Sequence, residues 1–96
     1  MCKLSEVTRN TVKSYRHTVT ATEGMHARPA GQFVKLAVDC LSSIEVQKGD
    51  KRVNVRRIMS VLQLCIKQGE TIDFFVEGED EESVLEQVRR ICQENL

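Results

Sequence analysis

Apolar residues alternate with polar ones along some stretches of this chain and recur at three- and four-residue spacing along others, and the two periods divide it into seven elements. Tyr15-Arg16-His17-Thr18-Val19-Thr20 alternates roughly and is rich in β-branched and aromatic residues, which predicts a first strand. Ala30, Phe33, Val34 and Ala37 recur at helical spacing and predict a helix from Ala27 to Val38. Ser43 to Gln47 alternates through Ile44 and Val46, Lys48-Gly49-Asp50-Lys51 is turn chemistry, and Arg52-Val53-Asn54 resumes. A hairpin is the natural reading. Ile58, Met59, Val61, Leu62 and Leu64 predict a short apolar helix, with Asn54 ahead of it as a candidate cap and Lys67-Gln68-Gly69 ending it. Thr71 to Glu77 alternates through Ile72, Phe74 and Val76 as a last strand. Glu79-Asp80-Glu81-Glu82 then places acids at the positive end of a final helix marked by Val84, Leu85, Val88, Ile91 and Cys92.

The order β-α-β-β-α-β-α predicts an α+β fold, an open sheet covered on one face by helices. A chain of 96 residues buries only about 60–65% of its unfolded surface, so a sheet with helices packed on it is what makes it stable alone. Residues 1–14 are polar, carry Lys3, Arg9 and Lys13, and show no clear period, so they read as a flexible extension ahead of one domain at 15–96.

Composition removes several classes. With 41% hydrophobic residues, one Pro and five Gly the chain is neither coreless nor disordered in type. No apolar run is long enough for a membrane span, and MCKLSEVTRN lacks a signal peptide's apolar stretch, so the cytoplasm is the expected compartment. Cys2, Cys40, Cys65 and Cys92 form no C-x-x-C pair, which argues against a zinc knuckle or redox motif. Cys40, Cys65 and Cys92 sit among apolar neighbours and read as reduced, partly buried core residues. The net charge is zero, but residues 1–69 hold 12 basic against 5 acidic side chains, and residues 70–96 hold 2 against 9. A charged partner therefore meets two unlike halves.

Candidate chemistry concentrates in Thr22-Glu23-Gly24-Met25-His26-Ala27-Arg28-Pro29-Ala30, between the first strand and the first helix. Gly24 permits a positive-φ turn, and Pro29 is tolerated only in a helix's first turn, which puts His26 at or beside the N-cap. Histidine is not a favoured cap, so a local preference has been given up there. A phosphoryl group on its ring would face the free N–H groups of Ala27 and Arg28 and the positive end of the helix, and the Arg28 guanidinium suits phosphate oxygens. A lone histidine before a helix is more often a surface or satisfied residue. The conjunction is what favours chemistry.

Gly24-Met25-His26-Ala27-Arg28-Pro29-Ala30 resembles the active-site signature of the HPr family, the histidine-containing phosphocarriers of the bacterial phosphoenolpyruvate-dependent sugar phosphotransferase system. The resemblance continues through Phe33-Val34, Val53-Asn54, Ile58-Met59, Val61, Lys67-Gln68-Gly69 and Glu77-Gly78-Glu79-Asp80, covering roughly residues 15–93. It implies an open-faced β-sandwich, four antiparallel strands under three helices. It also implies that His26 takes a phosphoryl group on Nδ1 from phospho-enzyme I and passes it to a sugar-specific enzyme IIA, with Arg28 neutralising charge and Ala27 and Arg28 giving backbone donors. Both partners would dock on the first two helices, at Pro29, Gly31, Ile58, Met59 and Leu62. An apolar residue such as Met59 can equally be ordinary core.

Two departures stand beside the match. Gram-positive members carry a kinase-regulated serine at the start of the second helix, where this chain has Arg57 after Arg56, and Ser60 reads as a helix residue rather than a displaced site. Two arginines at a helix N-terminus oppose its dipole, which suits either an acidic partner or a solvated charge pair. The extension is the second departure. The expected function is a phosphoryl carrier and not an enzyme, since no second catalytic group or Gly-rich nucleotide loop is present; it needs no cofactor and acts as a monomer. The alternative is an HPr-like regulatory binding module not devoted to sugar uptake. A nucleic-acid binder using Lys48, Lys51, Arg52, Arg56 and Arg57 is disfavoured because no aromatic interleaves with them. A metal site from His17 and His26 lacks further ligands.

Overall fold

Seven elements follow one another in the expected order: β1 (Val12–Thr18), α1 (Ala27–Asp39), β2 (Ser43–Lys48), β3 (Lys51–Asn54), α2 (Ile58–Gln63), β4 (Thr71–Glu77) and α3 (Glu81–Asn95). The computed structural model describes residues 12–96, and positions 1–11 of the expected extension lie outside them. All neighbouring strands run antiparallel, in the order β1-β4-β2-β3. β1 and β2 flank β4, so β1-α1-β2 is a split βαβ unit, and β3-α2-β4 is a second one around β2.

The alternation read from the sequence sets which face is buried. Ile44 and Val46 on β2 and Ile72, Phe74 and Val76 on β4 are fully buried beneath Ala30, Phe33 and Ala37 of α1 and Val84, Val88 and Cys92 of α3. The Phe33 and Phe74 rings meet at the centre, 4.8 Å apart and tilted by 30°. Burial of each such ring stabilises the fold by about 1.5–3 kcal/mol. The opposite face stays open because its side chains satisfy one another. Arg16 pairs with Asp73 at 2.8 Å, Arg52 pairs with Glu45 at 2.7 Å, and the Arg52 guanidinium lies 3.9 Å from the centre of the Phe75 ring.

β1 begins earlier and ends earlier than the alternation predicts. Lys13 and Ser14 pair with Val76 and Phe75, so residues 12–14 belong to the sheet and not to an extension. At the other end the Val19 N–H still meets the Glu70 carbonyl at 2.9 Å, but the Glu70 N–H turns back to the Lys67 carbonyl and the Val19 carbonyl takes the Gly69 N–H at 2.8 Å instead, which ends the ladder. Asn54 does not cap α2. Its side-chain oxygen takes the Arg56 N–H at 2.9 Å, one turn too early, and Arg57 is the N-cap.

Helix ends are closed from a distance. The Ala37 carbonyl, orphaned at the end of α1, accepts from Nε and Nη2 of Arg56 at 3.3 and 3.0 Å. Lys48 Nζ donates to the carbonyls of Leu64 and Cys65 just past α2, both at 2.9 Å, and reaches Glu70 at 3.0 Å. Beyond α3 Leu96 is buried, and its carbonyl oxygen accepts from the N–H groups of Thr20 and Ala21 and from the Thr20 hydroxyl. That contact brings the end of α3 against the segment leading into α1.

Candidate functional site

Residues 21–26 form a short connection held on both sides. The Gly24 N–H donates to the Ala21 carbonyl at 3.0 Å, the Met25 N–H donates to the Ile66 carbonyl at 3.0 Å, and the Met25 side chain is buried. Gly24 has φ of +65°, and a Cβ there would stand 2.3 Å from the Ile66 oxygen, so glycine is required by both conformation and space. Gln68 Nε2 adds a bond to the Thr20 carbonyl at 3.1 Å.

This loop delivers His26 to the N-cap of α1 in extended conformation, φ −129° and ψ −169°, with no capping bond from its side chain. The first intrahelical bond runs from the Ala30 N–H to the His26 carbonyl at 3.0 Å. Pro29 has no N–H, so the unbonded donors of the first turn are those of Ala27 and Arg28. The first turn contains no acidic residue, and among the described residues no carboxylate lies within ion-pair distance of Arg28. The result is a helix N-terminus with its partial positive charge unanswered beside an imidazole.

The sequence reading assigned no role to Glu23. Its carboxylate lies 3.1 Å from Nε2 of His26, at the i, i+3 spacing that the tight turn at Gly24 produces. Glu23, His26, Arg28, Thr22 and Ala21 line a cleft together with Glu94 and Asn95, so the acidic final helix ends beside the site. Asn95 is fixed there by bonds to Gln32 at 2.9 Å and to the Ile91 carbonyl at 3.1 Å. Only the contact of α3 with the 20–21 segment, 76 residues apart at Thr20 and Leu96, could have revealed this, and no local pattern encodes it.

The expected docking residues divide. Pro29 is almost fully buried, at the floor of the cleft that His26 and Arg28 line. Gly31 faces open space, Ile58 and Leu62 are half-buried, and Met59 is 64% exposed, so Met59 is not a core residue. Arg57 is exposed at the start of α2, and Ser60 is half-buried within it. Arg56 is exposed as well, and its guanidinium also donates to the Ala37 carbonyl at the end of α1.

The basic stretch considered for nucleic acid is largely engaged inside the molecule: Lys48, Arg52 and Arg56 are held by Glu70, Glu45 and the Ala37 carbonyl. His17 lies on β1 with Nδ1 3.3 Å from the Tyr15 hydroxyl, and no group of three or more metal-binding side chains occurs among the described residues. Cys92 is buried, which pushes its thiol up to about 12, and Cys40 is half-buried. Cys65 is exposed rather than partly buried, because the chain turns there at φ of +53° while Leu64 and Ile66 take the inward positions. No helix among the described residues is long and apolar enough to cross a membrane.

Comparison with known proteins agrees with this geometry. The model of the PTS HPr component phosphorylation site matches residues 13–94. The phosphocarrier protein HPr of Lysinibacillus sphaericus is 39% identical over 83 residues, 86% of this chain and 94% of that protein. The crystal structure of HPr from Bacillus anthracis superposes with a TM-score of 0.79 at 34% identity, covering 88% of this chain and all of the other. Crh of Bacillus subtilis, a catabolite repression protein whose crystal structure is a domain-swapped dimer, superposes with a TM-score of 0.68 at 33% identity, covering 81% of this chain and 90% of that one. An open antiparallel sheet under three helices, a histidine capping the first of them and a match across nearly the whole chain place this protein in the HPr family, the phosphocarriers of the phosphotransferase system.

Proposed function

We propose that this protein accepts a phosphoryl group on Nδ1 of His26 from phospho-enzyme I in the cytoplasm and passes it, as a monomer without a cofactor, to sugar-specific enzyme IIA proteins. The observation that carries the reading is the open first turn of α1, which holds no acid and two free N–H donors, with Arg28 lining the same cleft as the histidine. The Nδ1 lone pair attacks phosphorus in line with the donor's P–N bond; one N–P bond forms as the other breaks, and the released electron pair returns to the donor nitrogen. Charge on the three equatorial oxygens is met by Ala27 N–H, Arg28 N–H and the guanidinium. Onward transfer repeats the step in the opposite direction, so the protein is regenerated rather than turned over as a catalyst. Gly31, Ile58, Met59 and Leu62 supply the docking surface beside it, with Met59 able to repack against unlike partners.

The test is incubation with enzyme I, Mg²⁺ and phosphoenolpyruvate. We expect one acid-labile, base-stable phosphoryl adduct, absent in His26→Ala; an adduct that persists in the variant sinks the assignment. A wild type that stays unmodified favours the second reading, a regulatory binding module. That reading draws on the similarity to Crh and on Arg57 at the position of the regulatory serine.

A further inference from the structure

We infer that Glu23 is a positioning residue for the phosphoryl site, holding the His26 ring with Nδ1 unprotonated and turned toward the acceptor position. The inference rests on the phosphocarrier reading only for its kinetic consequence. An imidazole has two nitrogens, and the one that carries the proton is set by the hydrogen bond the other atoms allow. Here the Glu23 carboxylate, an acceptor only, stands 3.1 Å from Nε2. A carboxylate at that distance favours the tautomer with the proton on Nε2, which leaves the lone pair on Nδ1. Among the described residues no group hydrogen-bonds Nδ1, and the side chain makes no bond to its own helix.

The loop makes this arrangement specific. Gly24 lies between the two residues in a conformation that admits no side chain, and Met25 is pinned to Ile66, so Glu23 and His26 are brought together by backbone geometry. Glu23 is 76% exposed and His26 37% exposed, which keeps the pair accessible to a partner and keeps its strength modest. When an N–P bond forms at Nδ1, the ring becomes an imidazolium with its proton still on Nε2. No proton enters or leaves: Glu23 stabilises the positive ring, and when the N–P bond breaks the electron pair returns to Nδ1 with Nε2–H unchanged. The carboxylate reaches the ring through the nitrogen that does not bond phosphorus. This is the role an orienting carboxylate plays for a catalytic imidazole in general.

The experiment uses the full chain labelled with ¹⁵N, together with Glu23→Ala and Glu23→Gln. In the wild type we expect the Nε2–H tautomer, read from the Nε2–H resonance at low temperature, where exchange of a half-exposed ring proton is slowed. In Glu23→Ala that resonance is lost and phosphorylation by phospho-enzyme I slows about fivefold, which is about 1 kcal/mol. Glu23→Gln retains an acceptor oxygen, so it restores the resonance and part of the rate. An Nε2–H resonance and a rate that are both unchanged in Glu23→Ala overturn the inference. A wild type that is never phosphorylated overturns the phosphocarrier reading instead, and the resonance then decides the role of Glu23 alone.

Discussion

The N-terminal ends of α1 and α3 are built alike and finished in opposite ways. Each N-cap, His26 in one and Asp80 in the other, stands two residues after a positive-φ glycine pressed against a neighbouring backbone. Gly24 abuts Ile66, and a Cβ on Gly78 would lie 2.5 Å from the Ser42 Cα. At α3 the positive end faces acids: Glu81 and Glu82 occupy the first turn, and the Gly78 N–H ahead of the helix donates to Glu81 at 3.2 Å, although the Asp80 side chain, like that of His26, makes no capping bond. Asp80 accepts from the Leu41 N–H at 3.0 Å and from the buried Ser42 hydroxyl, locking the helix to the start of β2. At α1 none of this is present, and the same dipole is left for something outside the chain. A helix start is thus made structural or chemical by its first turn, not by the loop that precedes it.

The sharpest way to break the symmetry of construction is at the two glycines. Gly24→Ala and Gly78→Ala should each destabilise the fold by about 2 kcal/mol or more, read as a Tm lower by about 8 °C or more. Of the two, Gly24→Ala should also lose phosphorylation in the fraction that remains folded; equal labelling of both folded variants would show that the site does not depend on its loop. A smaller effect is expected from finishing α1 as α3 is finished. Ala27→Glu should raise helix stability by about 0.3–1 kcal/mol while slowing phosphoryl acceptance by about tenfold, because the new carboxylate occupies the donors. A stabilised variant labelled at the wild-type rate would contradict the proposed anion site.

The smallest effect concerns pH. The Leu41 N–H, first, and then the Ser42 hydroxyl hold the Asp80 carboxyl below its ordinary value of 3.8. A carboxyl depressed in the folded state stabilises that state fully above its unfolded value and loses the contribution as pH falls through the folded one. Asp80→Asn should therefore be less stable than the wild type at about pH 7, and the gap should narrow at about pH 3 in denaturant titrations. A gap that is the same at both pH values would assign the stabilisation to the hydrogen bonds alone.

The elements and the buried face were legible because each rests on a local period: Ile72, Phe74 and Val76 alternate in sequence as they do in burial. His26 was legible because Pro29 and Gly24 restrict where α1 can begin. Glu23 was in plain view in the same motif but carried no signal, since its contact with His26 depends on a turn conformation rather than on a spacing. Arg56, Lys48 and Leu96 were misjudged or missed for a plainer reason. Each acts on a backbone group 16 to 76 residues away, and no window along the chain contains both partners. The early end of β1 belongs with them, because it is decided by the turn at residues 67–70 on the facing segment.

Lys48 has a further consequence, for how the chain folds. α2 has six residues, too few to hold together in water, and its last carbonyls are reached by an ammonium from the far end of β2. The helix therefore gains its closing bonds only after the β2-β3 hairpin is in place. Arg56, just past that hairpin, does the same for α1. Both helices beside the proposed phosphoryl site thus take closing bonds from side chains of the hairpin region, which ties their ends to the sheet.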